Sequence, residues 1–166
     1  MYLLVMGFLT SRLEDDAHWS SSDAALAFTL MGTAMVVGGP ICIGLVNRFG
    51  VRLVLSLAFL LWALLVMVVL AGWYLPTLLA VVGLGLLFSG LPSVVTLYVV
   101  ENTNANDYGP CFAAATLAFG VAQVISPQIG GLIADIAGSF TLVFLLSAVL
   151  GLVGWFAALK LPVREL

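Results

Sequence analysis

Long apolar stretches separated by short polar segments dominate the hydrophobic pattern of this chain. A helix that crosses a bilayer needs about 20 mostly apolar residues, because each residue advances the helix by about 1.5 Å. Five stretches reach this length: 24–46, 53–72, 76–100, 110–134 and 140–159. The pattern therefore predicts five membrane-spanning helices.

Helix-start signals accompany three of these stretches. Ser20 and Asp23 have the spacing of a capping box, in which side chains satisfy the free N–H groups at a helix N-terminus. Pro76 and Pro110 suit the first helical position, where the N–H that proline lacks would have no partner within the helix. These signals predict helix starts next to residues 24, 76 and 110.

The N-terminal segment is the exception to this pattern. Residues 1–13 form a sixth apolar segment, but Arg12 and an acidic run at 14–16 follow after about half the length that a bilayer requires. Half a helix cannot cross a bilayer by itself. Either the segment is tilted into a bundle, or its first half lay upstream in a longer ancestor, which is the interpretation we favour. The expected fold is an all-α integral membrane protein: one domain over 1–166, with about six transmembrane helices of which the first is truncated.

The composition agrees with a membrane protein. The mean hydropathy is +1.24, and charged residues make up 8% of the chain, compared with about a quarter in soluble domains. A soluble fold of 166 residues would lack the polar side chains needed to cover its exterior. Lipid is therefore the expected solvent, and the side of the bilayer on which each charge lies matters more than the net charge of −3.

Basic residues are distributed unevenly between the two sides that alternate along six crossings. One side receives Arg48, Arg52, Lys160 and Arg164, whereas the other receives only Arg12. Cytoplasmic loops collect Lys and Arg, so the side with four basic residues is expected to be cytoplasmic. Both termini then lie in the cytoplasm, and the expected location is the cell membrane, as a multi-pass protein of a bacterial inner membrane.

The stretch 110–134 carries the strongest periodic signal of the chain. A small residue recurs at every fourth position, which places these side chains on one helix face. The six positions are Ala114, Ala118, Ala122, Ser126, Gly130 and Ala134. Membrane helices pack where small residues let their backbones approach closely. We therefore expect a neighbouring helix to pack along nearly the whole of this small-residue ridge.

Polar residues within the apolar stretches are candidates for lining a solute cavity. The candidates are Gln123, Thr116, Ser93, Thr29 and Thr33. Gln123 lies near the middle of its stretch, so its amide either forms an interhelical hydrogen bond or lines a water-accessible cavity. The hydroxyls of Thr29 and Thr33 either join that cavity or bond back to their own helix.

The sequence offers few groups for catalysis. No Asp, Glu, Lys or Arg occupies the central part of an apolar stretch, whereas an intramembrane enzyme needs clustered acids, bases or metal ligands. Cys42 and Cys111 have neither CxxC spacing nor a nearby His, which favours small buried hydrophobes over a metal or redox site. We expect no enzymatic activity, no cofactor or metal, and no nucleic-acid partner.

Residues 44–52, with the sequence GLVNRFGVR, resemble the loop signature G-x-x-x-D-R-x-G-x-R of the major facilitator superfamily. Asn47, Arg48, Gly50 and Arg52 match it in order. Asn47 replaces the usual aspartate, and the first glycine lies three residues before it instead of four. Gly50 permits a tight turn, and Asn47 retains the ability to cap a helix N-terminus.

A second resemblance to the same superfamily lies further along the chain. Residues 126–131, with the sequence SPQIGG, resemble its G-P-x-x-G-G element, with serine for the first glycine. Gly131, Asp135 and Gly138 then follow a G-x-x-x-D-x-x-G pattern. In the family such a stretch suits the eleventh helix, and the 44–52 loop suits the connection between the eighth and ninth. The resemblance therefore implies the C-terminal six-helix half of a twelve-helix transporter.

The resemblance also implies a function. Such transporters move small solutes by alternating access, in which two halves rock around a site at the membrane midplane. The loop of Asn47, Arg48, Gly50 and Arg52 would then act at the cytoplasmic gate. Many relatives export small molecules against protons, but the apolar stretches here hold no midplane carboxylate, so a proton-coupling group would have to come from an N-terminal half or from another chain.

The expected partners are the lipid bilayer, a small-molecule solute, and an N-terminal half or another copy of the chain. The alternative is a small integral membrane assembly protein that uses the small-residue ridge only for association.

Overall fold

The computed structural model describes residues 1–162, except for the side chain of Ala105, and nearly all of them lie in helices. The helices are α1 (Tyr2–Ser11), α2 (Ser21–Phe49), α3 (Val51–Ala71), α4 (Tyr74–Asn102), α5 (Ala105–Ala137) and α6 (Thr141–Leu159). A π-helical segment, Arg12–Asp16, continues α1. Within the described residues, α2 to α6 are long and apolar enough to cross a membrane. The expected all-α membrane bundle is confirmed.

The structure confirms the predicted cap at Ser20 but places neither Pro76 nor Pro110 at the predicted first position of its helix. At the start of α2, the Ser20 Oγ accepts a hydrogen bond from the Asp23 N–H at 3.2 Å, as the capping-box spacing predicts. Pro76, however, is the third residue of α4 and Pro110 the sixth of α5, so neither occupies the first helical position. The first turn of a helix tolerates proline because its N–H groups have no intrahelical acceptor, which lets α4 begin before Pro76.

α1 begins inside the bundle, between its two ends. The Ser147 Oγ donates a hydrogen bond to the Met1 carbonyl at 3.0 Å, and the Trp62 Nε1 donates to the Ser147 Oγ at 3.1 Å. The side chains of Trp62 and Ser147 are buried, and the two residues lie away from the ends of α3 and α6. From this point α1 and its π-helical continuation run to one end of the bundle. α1 is thus shorter than the other helices, as the apolar pattern predicts.

α2 and α4 form the closest helix pair. A Cβ added to Gly38 of α2 would collide with the carbonyl oxygen of Leu86, so the two backbones are nearly in contact there. The Ser89 Oγ of α4 donates a hydrogen bond to the Met35 carbonyl of α2 at 2.7 Å. α3 extends the bundle beyond this pair, because it packs against both α4 and α6.

Hydrogen bonds between segments that are distant along the chain mark the two ends of the bundle. At the arginine end, which carries Arg48, Arg52 and Lys160, the Tyr98 hydroxyl donates to the carbonyl of Pro162 at 2.9 Å. At the acidic end, which carries the carboxylates of residues 14–16 and 23, the Trp19 Nε1 donates to the Gly72 carbonyl at 3.3 Å. Gly50 alone joins α2 to α3, and the pair Gly72 and Trp73 joins α3 to α4, so these two short connections lie at opposite ends.

Arg12 is buried at the acidic end, although the sequence places it in a polar loop. Its Nη2 donates to the Leu70 carbonyl at 3.0 Å, and its Nε lies 3.6 Å from the Asp16 Oδ2. The same carboxylate oxygen accepts hydrogen bonds from the Ser139 Oγ and the Phe140 N–H, both at 2.9 Å. Asp16 therefore connects the π-helical segment to the start of α6, and Arg12 connects it to the end of α3.

Candidate solute cavity and gate loop

A cavity of about 320 Å³ lies between α1, α4 and α5. Three aromatic rings form part of its wall: Tyr2, Phe88 and Phe119. Its polar lining comes from Thr96, Thr116, Gln123 and Ser126. An apolar wall with a few polar groups is typical of small-molecule sites.

Tyr2 connects the helices around the cavity. Its ring makes edge contacts with Trp62 and Phe88, at centroid separations of 5.3 and 5.7 Å, and stacks on Phe119 at 6.4 Å. These geometries are those that the ring quadrupoles favour. The contacts fix the start of α1 against α3, α4 and α5 and so give the cavity a defined aromatic wall.

The polar wall contains two side chains, Gln123 and Ser126, that form no hydrogen bond with residues 1–162. Thr116 and Thr96 donate to the carbonyls of their own helices, at 2.9 and 3.0 Å. Gln123 is exposed to the cavity and forms no hydrogen bond with residues 1–162. The interhelical hydrogen bond that was one alternative for Gln123 is therefore not formed within this part of the chain. An amide offers two donors and one acceptor, so Gln123 can bind a solute that carries either kind of group.

The remaining polar candidates lie elsewhere. Thr29 and Thr33 are on the exposed face of α2, where each hydroxyl donates to a carbonyl of its own helix, at 2.8 and 3.0 Å. Ser93 donates to the carbonyl of Ser89 at 2.8 Å and lies against Gly39 of α2. These three residues are not part of the cavity wall, and Ser93 belongs to the α2–α4 contact.

Sequence reasoning missed the aromatic wall of the cavity. Phe88 and Phe119 lie within long apolar stretches, and Tyr2 lies in the short first helix. An aromatic residue in such a stretch has the same pattern whether it faces lipid, the core or a cavity. Only the proximity of α1, α4 and α5 distinguishes these rings.

The α2–α3 turn presents the loop signature at the arginine end. Gly50 has φ of 83° and ψ of 152°, a conformation that other residues rarely adopt, so its place in the signature has a direct backbone reason. The expectation that Asn47 caps a helix is wrong, because α3 begins without a side-chain cap. Asn47 instead lies within α2, which continues to Phe49.

Arg48 and Arg52 are exposed on either side of this turn. The Arg48 guanidinium lies 5.3 Å from the centroid of the Phe49 ring, and an Arg52 Nη2 donates to the carbonyl of Leu159 at the end of α6. Within residues 1–162, neither guanidinium has a carboxylate within 4 Å. Arg164, which the sequence assigns to the same side, lies outside the described residues.

The small-residue ridge of α5 is packed only at its C-terminal end. Gly130 and Ala134 are buried, with Gly130 against the ring of Phe8, and Ser126 is half-buried. The exposed members are Ala114, Ala118 and Ala122. The neighbouring helix that we expected along nearly the whole ridge is therefore not supplied by the described chain, in which α5 makes only limited contacts with α1, α4 and α6.

Comparison with known proteins identifies the family. No curated protein matches the chain. The sequence profile of the Major Facilitator Superfamily matches residues 1–166, which include the 44–52 loop, the 126–131 element and the cavity residues. The chain therefore belongs to the major facilitator superfamily of membrane transporters.

Proposed function

We propose that this chain forms one half of a secondary transporter that moves a small solute by alternating access. Members of the superfamily carry out membrane transport and are generally not enzymes. The observation that supports a solute site in this chain is the cavity between α1, α4 and α5, which is lined by the unpaired amide of Gln123 and by three aromatic rings. An aromatic wall and a free amide suit a solute that is partly apolar and carries a hydrogen-bonding group.

A second six-helix body would complete the transport pathway, either an N-terminal half or another copy of the chain. The exposed faces of α2 and α5 support this part of the proposal. They carry Thr29 and Thr33 on α2, and Thr116 and Gln123 on α5. The threonine hydroxyls are satisfied by carbonyls of their own helices, but lipid tails offer no partner to the free amide of Gln123, so the α5 face favours contact with protein or with a water-filled path.

We infer that the arginine end faces the cytoplasm. Arg48, Arg52 and Lys160 lie there, and basic residues accumulate on the cytoplasmic side of membrane proteins. In this orientation the end of α6 is on the cytoplasmic side and α1 runs away from it, whereas Met1 lies inside the bundle and not at the cytoplasmic surface that the sequence predicts for both termini. The α2–α3 turn then lies at the cytoplasmic gate, where the loop signature is expected to act. We propose that the membrane is the cell membrane.

The substitution Gln123→Leu tests the solute site. The purified chain, alone and co-reconstituted with the N-terminal half of a related transporter, is assayed in proteoliposomes with a panel of labelled sugars, amino acids and aromatic dyes. We expect the variant to lower the uptake of the transported solute at least about tenfold, which corresponds to about 1.4 kcal/mol of binding free energy. Gln128→Leu is the matched control, since Gln128 is an exposed residue of the same helix outside the cavity wall.

Two results would count against the proposal. Wild-type uptake by the Gln123→Leu variant would remove Gln123 from the solute site. Absence of transport in every reconstitution, together with stable self-association, would favour the alternative function. That alternative is a membrane assembly protein, and the exposed ridge at Ala114, Ala118 and Ala122 is the observation that favours it.

A further inference from the structure

An apolar groove runs along the outer surface of the bundle between α2 and α3. The two helices separate from the Gly50 turn, because each packs more extensively against α4 than against the other. The groove has a volume of about 310 Å³, and its walls are side chains of α2 and α3, with Leu87 of α4 as its floor. On α3 it extends from Leu53 to Leu61, a length of about 12 Å along the helix axis.

A second, partly polar depression of about 310 Å³ adjoins the groove at the arginine end. Phe49 and Leu53 line both spaces. Arg52 and Ser56 contribute polar groups to the second space, and Arg48 lies beside it, against the Phe49 ring. One surface thus passes from purely apolar to cationic over a short distance.

The guanidinium groups at this end keep most of their hydrogen-bonding capacity within the described chain. Arg48 forms no hydrogen bond with residues 1–162, and Arg52 uses one of its five donors on the Leu159 carbonyl. Neither has a carboxylate within 4 Å among these residues. Asn47 on the same turn carries no charge that would repel an anion. Guanidinium groups bind phosphate through paired hydrogen bonds, so this surface is complementary to a phosphate group.

We propose that this surface binds an anionic phospholipid, with the phosphate at Arg48 and Arg52 and one acyl chain in the groove between α2 and α3. The lining of the groove is almost wholly apolar, so a polar occupant would have no hydrogen-bond partner there. The arginines lie at the depth of the headgroups, because they flank a turn at the end of the bundle. The site is separate from the Gln123 cavity and does not depend on the proposed transport.

The test measures lipid binding by the full chain in detergent, by native mass spectrometry. Phosphatidylglycerol and phosphatidylcholine with identical acyl chains are titrated separately. We expect phosphatidylglycerol to bind at least about tenfold more tightly, and the double variant Arg48→Gln/Arg52→Gln to abolish this preference. Lys160→Gln is the control for the loss of a positive charge at the same end. Arg48→Gln alone is also measured, since Arg48 donates no hydrogen bond that the fold of residues 1–162 requires.

A second pair of variants tests the groove. Leu57 lines it and is 53% exposed, whereas Leu64 is 55% exposed on the same helix but does not line it. We expect Leu57→Trp to fill the groove and weaken the binding of both lipids several-fold, and Leu64→Trp to leave it unchanged.

Several outcomes would overturn the proposal. Equal affinities for the two lipids, or an unchanged preference in the arginine variants, would exclude the phosphate contact. Competition by glycerol phosphate at the same concentrations as the lipid would indicate a simple anion site without an acyl chain. Equal effects of the two tryptophan variants would exclude the groove. None of these results bears on uptake by the Gln123→Leu variant, so the two proposals can fail independently.

Discussion

The α2–α4 pair and α5 use small residues in different ways. In the α2–α4 pair, Gly38, Gly85 and Gly90 follow no strict period, yet each lies against the backbone or a side chain of the partner helix. In α5 the small residues recur at every fourth position, yet among the described residues only Gly130 and Ala134 of this ridge are buried. Strict spacing therefore shows that a helix face is able to pack closely, but not that the chain supplies the packing partner.

The position of α5 explains why its ridge is divided. Its C-terminal end is held where Gly130 contacts Phe8, and the Asp16 carboxylate binds Ser139 and Phe140 just beyond the helix. The N-terminal part of α5 has no comparable anchor in the described chain. This contrast can be tested with three substitutions. They disturb the Asp16 contact, the close approach at Gly38 and the exposed ridge position Ala118.

Asp16→Ala is expected to have the largest effect on folding. It removes the acceptor of two hydrogen bonds and leaves the buried Arg12 without its nearby carboxylate, which should lower the free energy of unfolding by about 3 kcal/mol. Denaturant titration in detergent measures the loss, and hydrogen exchange should increase in residues 130–141. Asp15→Ala is the control, because Asp15 is exposed and forms no hydrogen bond among the described residues. Equal unfolding of both variants would show that Asp16 does not anchor α5.

Gly38→Ala should have the next largest effect. The added methyl group would collide with the Leu86 carbonyl, so the two helices must move apart. We expect a loss of about 2 kcal/mol in the same titration, as for overpacked cores.

Gly32→Ala provides the matched control for Gly38→Ala. Gly32 lies on the same helix as Gly38, and a Cβ added to Gly32 would meet no atom within 4 Å. The Gly32→Ala variant should therefore be neutral, or stabilise the fold by up to about 1 kcal/mol through helix propensity. If both variants were neutral, the close approach of α2 and α4 would not contribute to stability.

Ala118→Leu should have the smallest effect on the fold of the chain, because Ala118 is exposed. We expect a change of less than about 0.5 kcal/mol in unfolding. If the ridge contacts a second six-helix body, association measured by site-specific cross-linking should weaken about tenfold, or about 1.4 kcal/mol. Ala113→Leu introduces the same side chain on an exposed position beside the ridge and should leave association intact. Loss of association in both variants would argue against the ridge as the interface.

The sequence alone determined the secondary structure and the family. Lipid requires long apolar segments with internally satisfied backbones, so the hydrophobic pattern located the five spanning helices and the short first one. Local backbone chemistry identified the Ser20 cap and the Gly50 turn. These features depend on neighbouring residues, and neighbouring residues are what a sequence pattern records.

Only the tertiary structure decided which residues meet. It buried Arg12 against Leu70, which lies 58 positions away, and brought the rings of three helices around the cavity that Gln123 lines. Within the described chain it also left Ala114, Ala118 and Ala122 of the α5 ridge exposed. The physical reason is that all the spanning helices are apolar on nearly every face, since lipid accepts each face as readily as protein does. Hydrophobicity therefore cannot select helix partners, and shape and a few polar contacts between distant segments select them instead.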